Sequence, residues 1–119
     1  VADAYGPRVP IGGGAWSGKD WFKVDRAGGI IARRIALAAV RAGASREATV
    51  ELLWRPGDRE ASVVALTGAG GERLDPAPHV AGIDCTLRGN GDRWPRLIAG
   101  GMARLAVEGH FGNGQSWEA

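Results

Sequence analysis

One run of fourteen residues, at positions 12–25, limits what this chain can fold into more than any other: GGGAWSGKDWFKVD. Its three consecutive glycines remove every Cβ, so the backbone can approach a ligand closely and adopt positive φ at little cost. Successive backbone N–H groups in such a loop can form a concave site for an anion. Because the strongest helical pattern of the chain follows directly, the run predicts a glycine-rich loop at a helix N-terminus.

Charged and hydroxyl side chains in this loop have the chemistry of a magnesium–phosphate site. Ser17 supplies a hydroxyl donor, and Lys19 and Lys23 supply ammonium groups of the kind that bind phosphate. Asp20 and Asp25 supply carboxylate oxygens, which Mg²⁺ prefers as ligands. A helix that starts near Asp25 would also direct the positive end of its dipole at the loop. The pattern therefore predicts that the loop binds a metal-bound phosphate.

A second interpretation stays open on spacing alone. Glycine runs are often flexible turns, a Lys–Asp pair is often solvated surface, and Asp25 suits a helix N-cap as well as a metal site. The loop is also not a Walker A loop, since that pattern requires Ser or Thr after Gly-Lys, where Asp20 stands here.

Three stretches resemble the C-terminal domain of the S-adenosylmethionine synthetases, in the same order. GGGAWSGKD at 12–20, followed by KVDR at 23–26, resembles the family's GGGAFSGKD and KVDRS. Upstream, DAYG at 3–6 resembles DTYG. Downstream, GHFG at 109–112 and WE at 117–118 resemble the family's GHFGR and WE. The likeness spans nearly the whole chain and implies the layered architecture of that family's repeat domain.

This resemblance implies a methionine adenosyltransferase reaction, in which ATP, L-methionine and water give S-adenosylmethionine, phosphate and diphosphate. The methionine sulfur would attack C5′ of ATP and expel triphosphate, which is then hydrolysed. Such chemistry needs positioning and charge neutralisation more than a general base, because sulfur is already nucleophilic. By likeness, Gly13, Gly14, Ala15, Ser17 and Lys19 would bind ATP, Lys19 and Lys23 would be catalytic, with Lys23 near the methionine carboxylate, and Asp25 would hold metal.

The resemblance also implies cofactors and partners. One or two Mg²⁺ ions and K⁺ are expected, together with the remaining enzyme domains and a homo-oligomer, a dimer or tetramer, whose sites are shared between subunits. Alone, the chain should bind triphosphate weakly and turn nothing over. The alternative is a non-catalytic relative used for assembly or regulation. Its support is Ile11, Asn113 and LLWRPG at 52–57, where the family has His, Arg and roughly VSYAIG.

Composition fits one domain of residues 1–119 in a reducing, cytoplasmic setting. The net charge is only +2, which does not suggest a nucleic-acid partner, and Cys85 is the single cysteine, which excludes an internal disulfide. No apolar run approaches the roughly 18 residues of a membrane helix. Because the chain begins at Val1, we expect a processed product or an excised piece.

The hydrophobic pattern predicts a first helix over 25–42 and a hairpin of strands 48–54 and 61–67. The apolar run at 62–66 suggests an inner strand covered on both faces. The helix should place four residues on its inner face and its arginines in solvent. The inner residues are Ile31, Ile35, Ala38 and Ala42, and the arginines are Arg26, Arg33, Arg34 and Arg41.

Further along, alternation predicts a third strand over 82–88 with a turn at 89–92, and apolar spacing predicts a second helix over 95–108. The chain is therefore predicted to be α+β, with helices on one face of a small mixed or antiparallel sheet. Trp16 and Trp21 flank the loop, and we expect them to be exposed at an interface with another domain or chain.

Overall fold

The fold is α+β in a computed structural model that describes Val9 and residues 16–119, which confirms the predicted class. The glycines and Ala15 at 12–15, the DAYG stretch and Ile11 lie outside the described residues. A long helix packs on one face of an antiparallel hairpin, and short helices follow. The elements are α1 (Val24–Arg41), β1 (Ala48–Leu53), β2 (Ser62–Gly68), α2 (Ala77–Val80), α3 (Leu87–Arg93) and α4 (Gly101–Glu108), with 3₁₀ turns at Trp94–Leu97 and Ser116–Glu118.

Helix α1 begins and ends within one residue of the predicted bounds. Gly43, with φ of +79°, takes the left-handed conformation after its last turn. The inner face differs slightly from the prediction, because Ile30 and Ala39 are buried where Ala38 is half-buried and Ala42 is exposed. The predicted Ile31 and Ile35 are fully buried, so the apolar spacing located the correct side of the helix.

The arginines of α1 are not uniformly solvated, contrary to the prediction. Arg26 is only 1% exposed, because its guanidinium lies over the Trp21 ring and donates a hydrogen bond to the buried His110 side chain. Arg33 and Arg34 are half-buried, and Arg33 forms an ion pair with Glu118 at 2.9 Å. Arg41 is exposed and donates to the carbonyls of the last two residues.

The hairpin is confirmed, with β1 and β2 antiparallel. Among the described residues the sheet has these two strands. Glu51 pairs with Ala65 and Leu52 with Val63, so Val64 is an extra residue in a β-bulge. The expectation that both faces of 62–66 are covered is wrong. Side chains in β2 alternate, and Val64 is exposed, since α1 packs on one face only.

The predicted third strand and the turn after it are wrong. Thr86 makes a single bridge to Glu60, and α3 starts at the next residue. The Thr86 hydroxyl accepts a hydrogen bond from Gly89 N at 3.0 Å, and Asp84 accepts from the Thr86 backbone N–H at 2.8 Å. These local side-chain bonds favour a capped helix over an extended strand.

The predicted second helix over 95–108 is split in two. Gly100 and Gly101 both have positive φ, of +79° and +85°, which a continuous right-handed helix does not allow. Leu105 is buried, whereas Met102 is exposed. The break is held by buried Gln115, whose side chain accepts from the backbone N–H of Ala99 at 2.9 Å and donates to its carbonyl at 3.0 Å.

Two apolar clusters form the core of the described residues. One surrounds Trp94 and Trp117, and the other lies between α1 and the hairpin. Trp54 belongs to the second cluster and packs on Gly28, where a Cβ would lie 2.8 Å from the indole ring. Trp16 covers Gly29 in the same way. Within the described part of the chain, no helix is long and apolar enough to cross a membrane.

Candidate functional site

Two successive turns lead from the glycine-rich loop into α1. The first is closed by a hydrogen bond from Lys19 N to the carbonyl of Trp16 at 3.2 Å, and Gly18 adopts φ of +86° within it. The second is closed from Lys23 N to the carbonyl of Asp20 at 3.3 Å. Lys23 is exposed and occupies the N-cap position of α1. Of the residues predicted to bind ligand, the described Ser17, Lys19 and Lys23 thus precede the positive end of the helix dipole.

The structure brings two of the predicted site residues into direct contact. Lys19 Nζ lies 2.5 Å from Asp25 Oδ2, and their side chains are 34% and 48% exposed. Asp25 is in the first turn of α1 rather than at the N-cap, so the capping interpretation of this residue is wrong. An exposed ion pair contributes only about 0.2–1 kcal/mol, so ligands of opposite charge can separate these groups at small cost.

Arg26 contacts the first of the two turns before α1, which is formed by residues 16–19 and is called the Lys19 turn below. Its Nη1 donates to the carbonyl of Lys19 at 2.8 Å, and its Nε donates to His110 Nε2 at 3.2 Å. Its guanidinium carbon lies 3.7 Å from the centroid of the Trp21 ring, which places a cation over an aromatic face. The Lys19 turn is therefore bound to a buried side chain of α1.

Aromatic rings surround His110, the residue that accepts the hydrogen bond from Arg26. His110 is 0% exposed and lies edge-on to Trp16, with the ring centroids 5.2 Å apart, and the Trp117 indole donates to the His110 carbonyl at 2.7 Å. The expectation that Trp16 and Trp21 are exposed is wrong. Trp21 is 8% exposed and Trp16 is half-buried, because the C-terminal segment supplies the rings that cover them.

The carboxylates of the site could contribute to a metal site but not complete one. Among the described residues, no group of three His, Cys, Asp or Glu side chains could hold a metal ion. Asp25 offers a half-exposed carboxylate, whereas Asp20 accepts a hydrogen bond from Phe22 N at 2.9 Å. Asp25 therefore fits one position of an octahedral Mg²⁺ shell, whose other ligands would be phosphate oxygens, water or other residues.

The contact between Arg26 and His110 is not predicted by the sequence pattern. Helical periodicity places Arg26 outward, and His110 enters only as part of the GHFG stretch. The available signal was that each belongs to one of the stretches that resemble the family. Cys85 is buried, and this burial, with Asp84 and Glu60 nearby, raises the pKa of its thiol, so the thiol is a poor nucleophile.

Comparisons with known proteins agree with the resemblance. The sequence matches the family described as S-adenosylmethionine synthetase, C-terminal domain, over residues 1–119. It is 39% identical over 137 aligned residues to an S-adenosylmethionine synthase of Methylobacterium nodulans, covering 99% of this chain and 32% of that protein. The corresponding enzyme of Ruegeria pomeroyi is 36% identical, with the same coverage of both chains, and that of Sulfurovum sp. is 34% identical.

The chain thus spans about a third of the length of the curated relatives that it matches. The match covers every position of the sequence, including the Lys19 turn and the segment that carries His110. The chain belongs to the S-adenosylmethionine synthetase C-terminal domain family.

Proposed function

We propose that this chain is a single domain that supplies the triphosphate-binding turn of a methionine adenosyltransferase. The enzyme would convert ATP, L-methionine and water to S-adenosylmethionine, phosphate and diphosphate. The observation that carries the proposal is the contact between Lys19 and Asp25 at the N-terminus of α1. A cation for phosphate and a carboxylate for metal lie side by side there, as a magnesium-bound polyphosphate requires.

Each proposed role uses a charge that the site presents. Lys19 would neutralise the triphosphate as it leaves C5′, and exposed Lys23 would bind the methionine carboxylate. Asp25 would be one ligand of Mg²⁺, and by likeness to the family K⁺ would also be required. Backbone and hydroxyl contacts to ATP would come from the glycine-rich loop, at Gly13, Gly14, Ala15 and Ser17.

Electrostatics favours an anion at this position. The dipole of α1 is equivalent to about half a positive charge at its N-terminus, adjoining Lys19 and Lys23. The competing Lys19–Asp25 pair is exposed and therefore weak, so a multiply charged triphosphate can displace the carboxylate. Released in this way, Asp25 becomes available to the metal that accompanies the phosphate.

The rest of the catalytic site would lie elsewhere. Since the chain corresponds to about a third of its relatives, we propose that other domains and a second subunit of a cytoplasmic homo-oligomer, a dimer or tetramer, complete it. Alone, the chain would bind triphosphate weakly and catalyse nothing.

A non-catalytic role in assembly or regulation is the second candidate, favoured by Asn113. Its amide donates to the carbonyl of Gly109 at 2.6 Å and thereby closes the end of α4, where the family has an arginine.

Titration calorimetry with magnesium triphosphate tests the binding role. Lys19→Met removes the proposed phosphate ligand. Arg55→Met is a matched control, because it also removes one cation from an exposed pair with an aspartate, Asp58. We expect wild type and Arg55→Met to bind alike, and Lys19→Met to bind at least about tenfold more weakly, as for a lost charge-assisted hydrogen bond. No binding by wild type, or equal binding by Lys19→Met, would count against the proposal.

Turnover separates the two candidate functions. The protein that carries this chain is incubated with ATP, L-methionine, Mg²⁺ and K⁺, and S-adenosylmethionine is measured by chromatography. Formation of the product supports the transferase. Triphosphate binding with no product from the intact protein supports the assembly or regulatory role.

A further inference from the structure

Two consecutive hydrogen bonds made by Arg26 connect the Lys19 turn to His110, near the C-terminal end of the chain. Arg26 Nη1 binds the Lys19 carbonyl, and Arg26 Nε binds His110 Nε2, a residue 84 positions away. Both side chains are buried, at 1% and 0% exposure. Lys19 itself closes its turn through its backbone N–H, so the carbonyl and the amide of one residue are both fixed.

The geometry points to Arg26 and His110 as positioning residues for the ammonium of Lys19. Arg26 acts on the turn directly, and His110 acts through Arg26. Arginine can do this because its planar guanidinium carries several donors in a rigid fork, so one group binds two acceptors at fixed angles. A lysine at the same position has a single flexible ammonium and cannot reproduce both bonds.

His110 fixes the plane of the fork. Since Arg26 Nε–H can only donate, Nε2 of His110 must present its lone pair, and the ring is unprotonated at that atom. The Trp16 and Trp117 rings lie against the imidazole, with centroids 5.2 and 5.9 Å away, and the Trp117 indole binds the His110 carbonyl. A ring held in this way serves as an acceptor of constant position.

Because Arg26 and His110 are buried, water cannot replace a hydrogen bond that either side chain loses. A guanidinium that leaves water needs its donors satisfied, and a lost bond to a buried charged group weakens the local structure more than a neutral one does. Removing the His110 acceptor should therefore move the guanidinium, and the Lys19 carbonyl should move with it. The expected result is a looser turn and a less well-placed ammonium, with the hairpin unaffected.

Amide hydrogen exchange of the ligand-free chain, followed by NMR, tests positioning without reference to function. His110→Leu removes the acceptor, His110→Gln restores one at Oε1, and Arg26→Lys keeps the charge but loses the fork. We expect the Lys19 amide to exchange about tenfold faster in His110→Leu and Arg26→Lys, and near the wild-type rate in His110→Gln. Protection of β1 and β2 should be unchanged.

The inference would be overturned if the Lys19 amide exchanged at the wild-type rate in Arg26→Lys and His110→Leu. It would also be overturned if this amide exchanged as fast in His110→Gln as in His110→Leu. If His110→Leu does not fold, Arg26→Lys and His110→Gln decide the question by the same criterion.

Magnesium triphosphate titration adds the link to the site, and this link alone rests on the proposed function. Arg26→Lys and His110→Leu should each weaken binding about tenfold, and the double variant no further, because both act through one contact. Equal affinity in variants with a loosened turn would overturn the link. Absence of binding in wild type would contradict both the proposed function and the link. The exchange experiment would still decide whether Arg26 and His110 position the Lys19 turn.

Discussion

Asp25 Oδ2 lies 2.5 Å from Lys19 Nζ, so the proposed metal ligand and the proposed phosphate ligand neutralise one another in the ligand-free chain. A bare anion must compete with a carboxylate for the same ammonium. A metal-bound anion instead satisfies both groups, which predicts that affinity for polyphosphate depends on magnesium.

Asp25→Asn should therefore raise the affinity for triphosphate in the absence of metal and remove the additional gain from magnesium. Releasing Lys19 from its exposed ion pair with Asp25 contributes about 0.2–1 kcal/mol, so the affinity for triphosphate should increase by no more than about fivefold. Asp58→Asn, which disrupts another exposed pair at the same change in net charge, is the control. Calorimetry in EDTA measures the affinity without metal, and calorimetry in magnesium measures the gain that the metal adds. Identical behaviour of the two variants would contradict the coupling.

Gly28→Ala should destabilise the chain although alanine is the better helix former. A Cβ at this position would meet the Trp54 ring at 2.8 Å, and overpacking of this kind costs about 1–3 kcal/mol, more than the roughly 1 kcal/mol gained in helix propensity. Urea denaturation measures the effect. Truncating the ring with Trp54→Leu should make the alanine neutral or favourable, and a persistent penalty in that background would show that the contact is not the cause.

Thr86→Ala should weaken the start of α3 by about 1 kcal/mol, because the hydroxyl that accepts from Gly89 N is lost. Thr86→Ser keeps the hydroxyl and should retain nearly full stability. Thermal unfolding of the three proteins provides the comparison, and a serine variant as unstable as the alanine variant would rule out capping as the source.

Because the Cys85 thiol is buried, we expect the free energy of unfolding to fall at alkaline pH. Burial, followed by the charges of Asp84 and Glu60, raises the pKa of the thiol above its ordinary value of 9.0. A raised folded pKa means that the folded chain holds the proton more tightly. The resulting stability is complete below pH 9 and is lost as the pH rises through the folded pKa.

Cys85→Ala should accordingly show a shallower decline in unfolding free energy above pH 9 than wild type, measured by urea denaturation between pH 8 and about 10.5. Parallel declines would mean that the thiol does not titrate with folding.

Local pattern predicted the elements whose partners are near in sequence. The apolar spacing of Ile31 and Ile35 located α1, and the turn-rich connection between two β-rich runs located the hairpin. Residues 82–88 do not form the predicted strand because Thr86 and Asp84 form side-chain hydrogen bonds that outweigh the alternation of apolar residues. The split of the last helix depends on backbone angles at Gly100 and Gly101, which identity alone does not reveal.

The candidate site was predictable in composition and less so in arrangement. Motif likeness selected Lys19, Lys23 and Asp25, and the structure brings the first and third together. Burial of Arg26 could not be predicted, since helical spacing carries no information about a histidine 84 residues away. The exposure predicted for Trp16 and Trp21 failed for the same reason, because their cover comes from the C-terminal segment.

The distance along the chain between Arg26 and His110 has a consequence for the order of folding. Contacts between residues far apart in sequence close large loops and form slowly, whereas α1 and the hairpin depend on neighbours. During refolding, helical circular dichroism should recover before the Lys19 turn reaches its native geometry. A chain being synthesised would likewise acquire the native Lys19 turn only after the segment near residue 110 has emerged and docked.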